Sequence, residues 1–316
     1  MSPHPDVIVI GIHIADILGR PVEAIPEGQG LALLEEIRMT VAGTGAATAM
    51  DLARLGVPVA SVAVVGDDVL GTWLTRALAD EGVDVSGIQV DPTVPTSATM
   101  LPIRPNGERP ALHVIGANAK LSIDMIDWDG LSGASHLHLG GSLLLDKIDG
   151  PPTAELFRDA HARGMTTSLD IIGFPGRDYE YVFGDAYPHL DYLLVNNDDA
   201  MLLSGQPDVE SAIEWFLDRG VGTCAVTVGG DGAIVRSRGE DAIHIPAYQV
   251  DVVDTTGCGD AFSAGFIATI TQGGSIEDAA RVGVGMGSFT ARALGSDASP
   301  RSRAALDDFM ASTPTK

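Results

Sequence analysis

Hydrophobic positions along this chain alternate between short unbroken apolar runs and longer segments with helical spacing. Residues 7–12 form one such run, closing near Gly11, as in a strand buried on both faces of a parallel sheet. The pattern then predicts a helix over about 46–55, a strand over 59–65, a turn at Gly66-Asp67-Asp68 and a helix over about 69–80. Beyond Gly116 it predicts strands at 136–139, 166–171, 192–195 and 223–228, with helices at 153–163 and 209–219 among those between them. A short antiparallel unit, 233–236 with 242–245, precedes three helices at 260–272, 276–292 and 301–310. Strands separated by helices are the grammar of a parallel sheet with helical crossovers.

Two stretches interrupt that grammar. Residues 14–42 contain extended pieces around 20–22 and 36–41. Residues 99–115 read as a hairpin, 100–104 and 111–115, around Pro105-Asn106-Gly107-Glu108. Asn-Gly between two strand-like runs is a strong hairpin signal. These pieces are expected to make a small sheet that projects from the body, with lid segments at about 14–42 and 96–118. No internal repeat, low-complexity tract or interdomain linker is visible, so residues 1–316 read as one domain with an attached lid.

Composition narrows the class. A hydrophobic content of 45% excludes a disordered chain, and 38 glycines with only 5% aromatics suit an α/β protein with close helix-on-sheet packing. A formal net charge of −24 argues against a nucleic-acid-binding face. It also means that an anionic substrate would need backbone amides and a metal to hold it. The two cysteines, Cys224 and Cys258, give neither a disulfide framework nor a CxxC pair. There is no basic n-region followed by an apolar stretch and no run of eighteen uncharged apolar residues. The expectation is a cytoplasmic protein without a membrane partner.

The candidate chemistry centres on Val253-Asp254-Thr255-Thr256-Gly257-Cys258-Gly259-Asp260-Ala261-Phe262. An extended run ends in a small-residue turn that opens a helix. The N–H groups of Gly257, Cys258 and Gly259 at a positive helix terminus would form an anion site. Asp260, in the first helical turn, sets a carboxylate beside it. That carboxylate could accept the proton of an attacking hydroxyl while the amides stabilise a transferring phosphoryl group. It could equally serve only the helix dipole, and these residues alone leave both readings open.

The stretch Asp254-Thr-Thr-Gly-Cys-Gly-Asp260 resembles the C-terminal signature of the ribokinase-like, or PfkB, carbohydrate kinases, and further resemblances follow in order along nearly the whole chain. Val41-Ala42-Gly43-Thr44-Gly45-Ala46 is similar to the family's N-terminal substrate segment, and Val65-Gly66-Asp67-Asp68-Val69-Leu70-Gly71 to the motif after it. Gly116-Ala117-Asn118-Ala119-Lys120-Leu121 resembles the segment that closes the lid. Asn196-Asn197-Asp198-Asp199 stands where the family has Asn-x-x-Glu, and Thr227-Val228-Gly229-Gly230-Asp231-Gly232 resembles its nucleotide loop. The resemblance implies a ribokinase-like three-layer α/β/α fold with a mostly parallel central sheet and a small β-sheet lid. It implies an ATP-dependent kinase acting on a hydroxyl of a small sugar or sugar derivative, with Asp260 as base and Gly257, Cys258 and Gly259 as anion hole. Thr227, Gly229 and Gly232 would line the ATP site, and Asn196 and Asp199 would act on Mg2+ and phosphates through water, Asp199 being one methylene shorter than the usual Glu. A monovalent cation such as K+ would find ligands at Asp254, Thr256, Gly295 and Ser299, unless that stretch is a plain structural turn.

Asp16, Gly43, Thr44 and Asn118, together with Asp260, are the substrate candidates that the resemblance implies. Asp16 suits a polyol, since one carboxylate accepts two hydroxyl hydrogen bonds. Ile14, Ala42 and Ala47 replace residues that ribokinase itself would use, so polar ribose contacts are missing. His13 is a candidate replacement contact or a strand-edge histidine. His136 and His138 share a strand face without a third ligand, which favours a structural role. Cys258 reads mainly as packing, although a helix N-terminus would lower its pKa. Rival readings are a nucleoside kinase of the same superfamily and a non-catalytic sugar-binding regulator. A dinucleotide-binding oxidoreductase lacks its GxGxxG after the first strand, and no GxxxxGK[ST] is present. Exposed lid strands point to a homodimer paired through the lid.

Overall fold

The computed structural model describes residues 4–105 and 108–316, so the predicted Asn106-Gly107 turn lies outside the described residues. Nine strands form the main sheet, in the order Ile243–Ile245, Ala233–Ser237, Thr223–Thr227, Tyr192–Asn196, Thr166–Ile171, His136–Ser142, Val7–Gly11, Val59–Gly66 and Asp84–Asp91. Every pairing is parallel except the two at the Ile243–Ile245 edge.

Strand periodicity divides the core into two layers. Ile8, Ile10, Leu137 and Leu139 pack on one side with Leu156 and Phe157 of the helix Pro151–Ala162 and with Ile213 and Phe216 of the helix Val209–Asp218. Val7 and Val9 face the other side, against Met50 of the helix Thr44–Arg54, Leu74 of the helix Val69–Asp80 and Phe266 of the helix Cys258–Thr271. Successive side chains of a strand point to opposite faces, so an unbroken apolar run feeds both helical layers. The helices Ile276–Thr290 and Arg303–Ser312 complete the second layer.

Most predicted elements appear with ends moved by a few residues. Asp84–Asp91 was not foreseen as a strand: at the sheet edge its side chains are exposed or half-buried, which removes the apolar run. The short helices Tyr179–Phe183 and Asn197–Ser204 also carry too little apolar periodicity to show in the sequence.

The interrupting stretches form a separate four-stranded sheet, ordered Glu36–Ala42, Ile14–Arg20, Ala98–Pro102, Leu112–Val114. The last two strands pair antiparallel, as the predicted hairpin requires. Asp16 lies opposite Thr40 and Thr99. Leu18, Leu101 and Ile103 pack under this sheet with Leu294, whereas Ile37, Met100, Leu112 and Val114 are exposed.

The helix Thr44–Arg54 drops onto the main sheet through glycine contacts. A Cβ on Gly11 would lie 2.2 Å from the Gly140 carbonyl oxygen, and one on Gly45 would lie 2.8 Å from Gly11. Glycine is therefore required there, and the close approach sets the start of that helix beside the strand ends.

Candidate active site

The helix Cys258–Thr271 begins two residues before the predicted start, so the small-residue turn is already its first turn. Gly257 caps it at φ 77°, and a Cβ there would meet Ser296 Cα at 2.7 Å. A Cβ on Gly259 would meet nothing within 4 Å, leaving open space over the helix start. Gly259 and Asp260 stand ahead of the first intrahelical bond, from the Ala261 N–H to the Gly257 carbonyl at 2.9 Å, and their amides have no partner within the helix. Cys258 differs from the expectation, since its N–H donates back to the Thr255 carbonyl at 3.3 Å.

Two cavities flank this helix start. One, of about 330 Å³, is lined by Asp16, Gly43, Thr44, Thr99, Arg109 and Asp260, among others. It joins three structural origins: the small sheet, the start of the helix Thr44–Arg54, and the start of the helix Cys258–Thr271. The Thr44 hydroxyl is buried without a hydrogen-bond partner. Burial raises the Asp260 carboxyl to about 7, with the Asp16 charge adding to it. Burial likewise raises Asp16 to about 6, against a Thr99 hydrogen bond and the nearby Arg109 charge.

The other cavity, of about 200 Å³, is lined by Thr227, Gly229 and Gly232 together with Cys258, Gly259 and Phe262. Lys316, which the sequence did not single out, also lines it. Gly232, at φ 101°, admits no side chain, because a Cβ would lie 1.9 Å from the Ile245 carbonyl oxygen.

Asn196 caps the helix Asn197–Ser204 by accepting from the Asp199 N–H, and its side-chain amide donates to Asp199 Oδ2 at 2.6 Å. Burial raises the Asp199 carboxyl despite that bond. Asp170 was also missed. It is the penultimate residue of the strand Thr166–Ile171 and is buried; burial first, then the charges of Asp260 and Asp199, push it upward. Its position at the carboxyl end of a parallel strand, where ligand sites collect, was the available signal. Among the described residues no group of three or more His, Cys, Asp or Glu could hold a metal by itself. The mutually repelling carboxylates fit a divalent cation that takes most of its ligands from phosphate and water.

Several candidates are placed elsewhere. Asn118 is not among the residues lining the cavity at Asp16 and Asp260: its Oδ1 accepts from the His13 N–H at 3.0 Å and its Nδ2 donates to the His13 carbonyl at 3.2 Å. The His13 ring is buried against Ser61 Oγ at 2.8 Å and the Gly11 carbonyl at 3.1 Å, and burial lowers it to about 4. His136 and His138 share Ser168 Oγ as partner and are lowered by burial to about 3, in keeping with a structural role. Cys258 reverses the expected shift: burial, then Asp254 and Asp260, raises its thiol to about 12.

The side chains of the cation candidates Asp254, Thr256 and Ser299 hydrogen-bond within the protein. Asp254 Oδ1 accepts from the Thr256 N–H and hydroxyl, both at 2.8 Å, and Oδ2 accepts from the Gly295 N–H at 2.9 Å. Burial alone would raise Asp254, but these donors and an ion pair with Arg109 hold it below the ordinary carboxylate range. The Ser299 hydroxyl already faces a cation, accepting from Arg54 Nη1 at 2.7 Å while donating to Asp51.

A glycine-lined groove and a cavity holding Asp16 and Asp260 meet at one helix N-terminus with a buried carboxylate, an arrangement suited to phosphoryl transfer. The chain belongs to the pfkB family of carbohydrate kinases, whose model matches residues 4–303. It is 34% identical over 283 residues to the ATP-dependent ribose-1-phosphate kinase of Halopiger xanaduensis, covering 88% of this chain and 90% of that protein. It is 27% identical over 298 residues to the 2-dehydro-3-deoxygluconokinase of Bacillus subtilis, covering 90% and 91%. The structure of Arabidopsis thaliana ribokinase complexed with ribose and ATP matches with a TM-score of 0.84 and 25% identity, over 97% of this chain and 99% of that one. No helix among the described residues is long and apolar enough to cross a membrane.

Proposed function

We propose that the chain transfers the γ-phosphoryl group of ATP to a hydroxyl of a small sugar bound in the cavity at Asp16 and Asp260. The observation that carries this reading is the placement of one helix N-terminus between that cavity and the glycine-lined groove at Thr227, Gly229 and Gly232. ATP lying in the groove would direct its terminal phosphate at the open space over Gly259. The Gly259 and Asp260 amides would then stabilise the charge of the transferring group, with Gly257 shaping the turn. Asp260 takes the hydroxyl proton, and its raised affinity for protons suits that task at neutral pH. Asp16 and Thr44 hold further hydroxyls. Mg2+ would be held through water by Asn196 and Asp199, with Asp170 close by, and would supply neutralisation of the phosphate charges.

No aromatic side chain lines the acceptor cavity among the described residues, which favours a sugar over a base-bearing nucleoside. The small sheet covers the cavity through Asp16, Thr99 and Leu101, so its closure excludes water from the transfer. Its outer face, with Ile37, Met100, Leu112 and Val114 exposed, fits a second copy of the chain across a two-fold axis. A monomer in light scattering at micromolar concentration would overturn that pairing.

The kinase reading is tested by ADP release from Mg-ATP with pentoses, hexoses, sugar acids, sugar phosphates and nucleosides, for the wild type and Asp260→Asn. Turnover on a sugar class that falls at least about 1,000-fold in the variant supports it. Sugar binding without turnover on any compound would instead support a sugar-binding regulator.

A further inference from the structure

The chain carries only 19 Lys and Arg against 43 Asp and Glu, so a cation inside a substrate cavity calls for a reason. The proposed acceptor cavity has one, Arg109, on the segment between the strands Ala98–Pro102 and Leu112–Val114. The same side chain also lines an adjoining cavity of about 550 Å³, together with Arg20 and Arg104. Arg109 thus lines both the cavity of about 330 Å³ and a second, arginine-bearing one. Facing it are Asp16 and Asp260 in the first cavity, and Glu35 and Asp254 in the second.

Nothing in a neutral sugar calls for the charge of this guanidinium. Sugar hydroxyls are satisfied by carboxylate and hydroxyl acceptors such as Asp16 and Thr44, whereas a planar five-donor fork matches an oxyanion. Within the protein Arg109 uses Nη1 on Asp254, and Nη2 reaches Thr255 Oγ1 only at the 3.5 Å limit. Arg20 pairs with Glu36 and Arg104 with Glu108, so neither is a bare cation, yet both bring donors to the wall of the second cavity.

We propose that the sugar acceptor carries an anionic group, a phosphate monoester or a carboxylate, and that Arg109 binds it at the boundary of the two cavities while the reacting hydroxyl lies at Asp260. Arg109 is then the specificity-determining residue. It keeps its hold on Asp254 through Nη1 and offers its remaining donors to the acceptor's oxygens. This rests on the proposed kinase reading for the position of the hydroxyl, but the anion site itself can be tested without turnover.

The experiment compares ribose, ribose 1-phosphate, ribose 5-phosphate and gluconate as acceptors for wild type, Arg109→Ala and Arg109→Lys, with saturating Mg-ATP. The same four compounds are titrated calorimetrically onto each protein without nucleotide. The wild type is expected to prefer one anionic acceptor over ribose by about 50-fold or more in kcat/KM. Arg109→Ala should reduce that preference by about 50-fold, with Arg109→Lys restoring part of it. The preferred compound identifies the anion as phosphate or carboxylate. Preference for ribose would overturn the proposal. So would an Arg109→Ala effect equal on all acceptors, as a mere staple to Asp254 would give, or one confined to the KM for ATP. If none of the four turns over, the kinase reading is decided by the wider acceptor panel; calorimetric binding of an anionic sugar that Arg109→Ala abolishes would still uphold the anion site, and no such binding would sink it.

Discussion

Asp16 and Asp260 reach one cavity from two different sheets' worth of structure, and the charge of the first raises the proton affinity of the second. Asp16 belongs to the small sheet and Asp260 to the first turn of a helix packed under the main one. Their like charges in a poorly hydrated space make Asp260 a better base than a solvated aspartate near pH 7. A substrate that hydrogen-bonds Asp16 would meet that base at once.

This coupling fixes a pH profile. A base must be ionised to act, and Asp260 is raised to about 7, so kcat/KM for the acceptor is expected to increase with pH through about 7 and level off above it. Asp16→Asn removes the repelling charge and should shift the acid limb to lower pH, whatever it costs in acceptor KM. Rate profiles from pH 5 to 9 for both proteins check this; an unmoved limb would separate the two carboxylates.

The same burial acts on stability. The folded-state affinity of Asp260 for its proton lies above that of the unfolded chain, so between about pH 4 and 7 the native state holds a proton that the unfolded state has lost. The stabilisation is complete below that window and is lost as pH rises through about 7. Asp260→Asn has no such charge to bury. Its melting temperature, measured without ligands, should exceed that of the wild type by roughly 2–5 °C at pH 8 and by less at pH 5. A difference independent of pH would show that Asp260 is not buried as an anion.

How much of this was legible in the sequence depended on the kind of signal. The strand Val7–Gly11 and the helix start at Gly257 were readable because an unbroken apolar run and a cluster of small residues before an aspartate each have few physical explanations. The edge strand Asp84–Asp91 gave no run because half of its surface meets solvent. The sequence offers Asn118 as a substrate candidate and His13 as either a contact or a strand-edge histidine; only folding shows that the Asn118 amide holds the buried His13 backbone turn. Arg109 was invisible for the opposite reason. It lies in a polar connection without periodicity, and only folding brings it across to Asp254, 145 positions along the chain.

Cys258 offers a test of burial against the helix dipole. Its thiol sits at a helix N-terminus, which favours the thiolate, but desolvation and the Asp254 and Asp260 charges raise it to about 12. In the folded protein at pH 7.5, reaction with a small thiol reagent should be about 1,000-fold slower than for a free cysteine. Cys224, fully buried and also raised, should be as slow, so both should react rapidly only in urea. Fast single-site labelling of the native protein would mean that the dipole prevails.

Asn196 and Asp199 combine a structural and a chemical task, which mutation can separate. Asn196 Oδ1 accepts from the Asp199 N–H at 2.8 Å, while its amide donates back to the Asp199 carboxylate at 2.6 Å. The backbone half of this exchange survives in Asp199→Ala, so the helix keeps its cap and should lose little stability. The carboxylate half does not survive, and the Mg2+ concentration for half-maximal activity should increase about 10-fold. Asp199→Glu lengthens the arm by one methylene and, acting through water, should stay within about 3-fold of the wild type. Magnesium titrations at fixed ATP distinguish these outcomes. If Asp199→Ala leaves the magnesium dependence unchanged, the pair serves only to cap its helix, and holding the cation that neutralises the phosphates falls to Asp170.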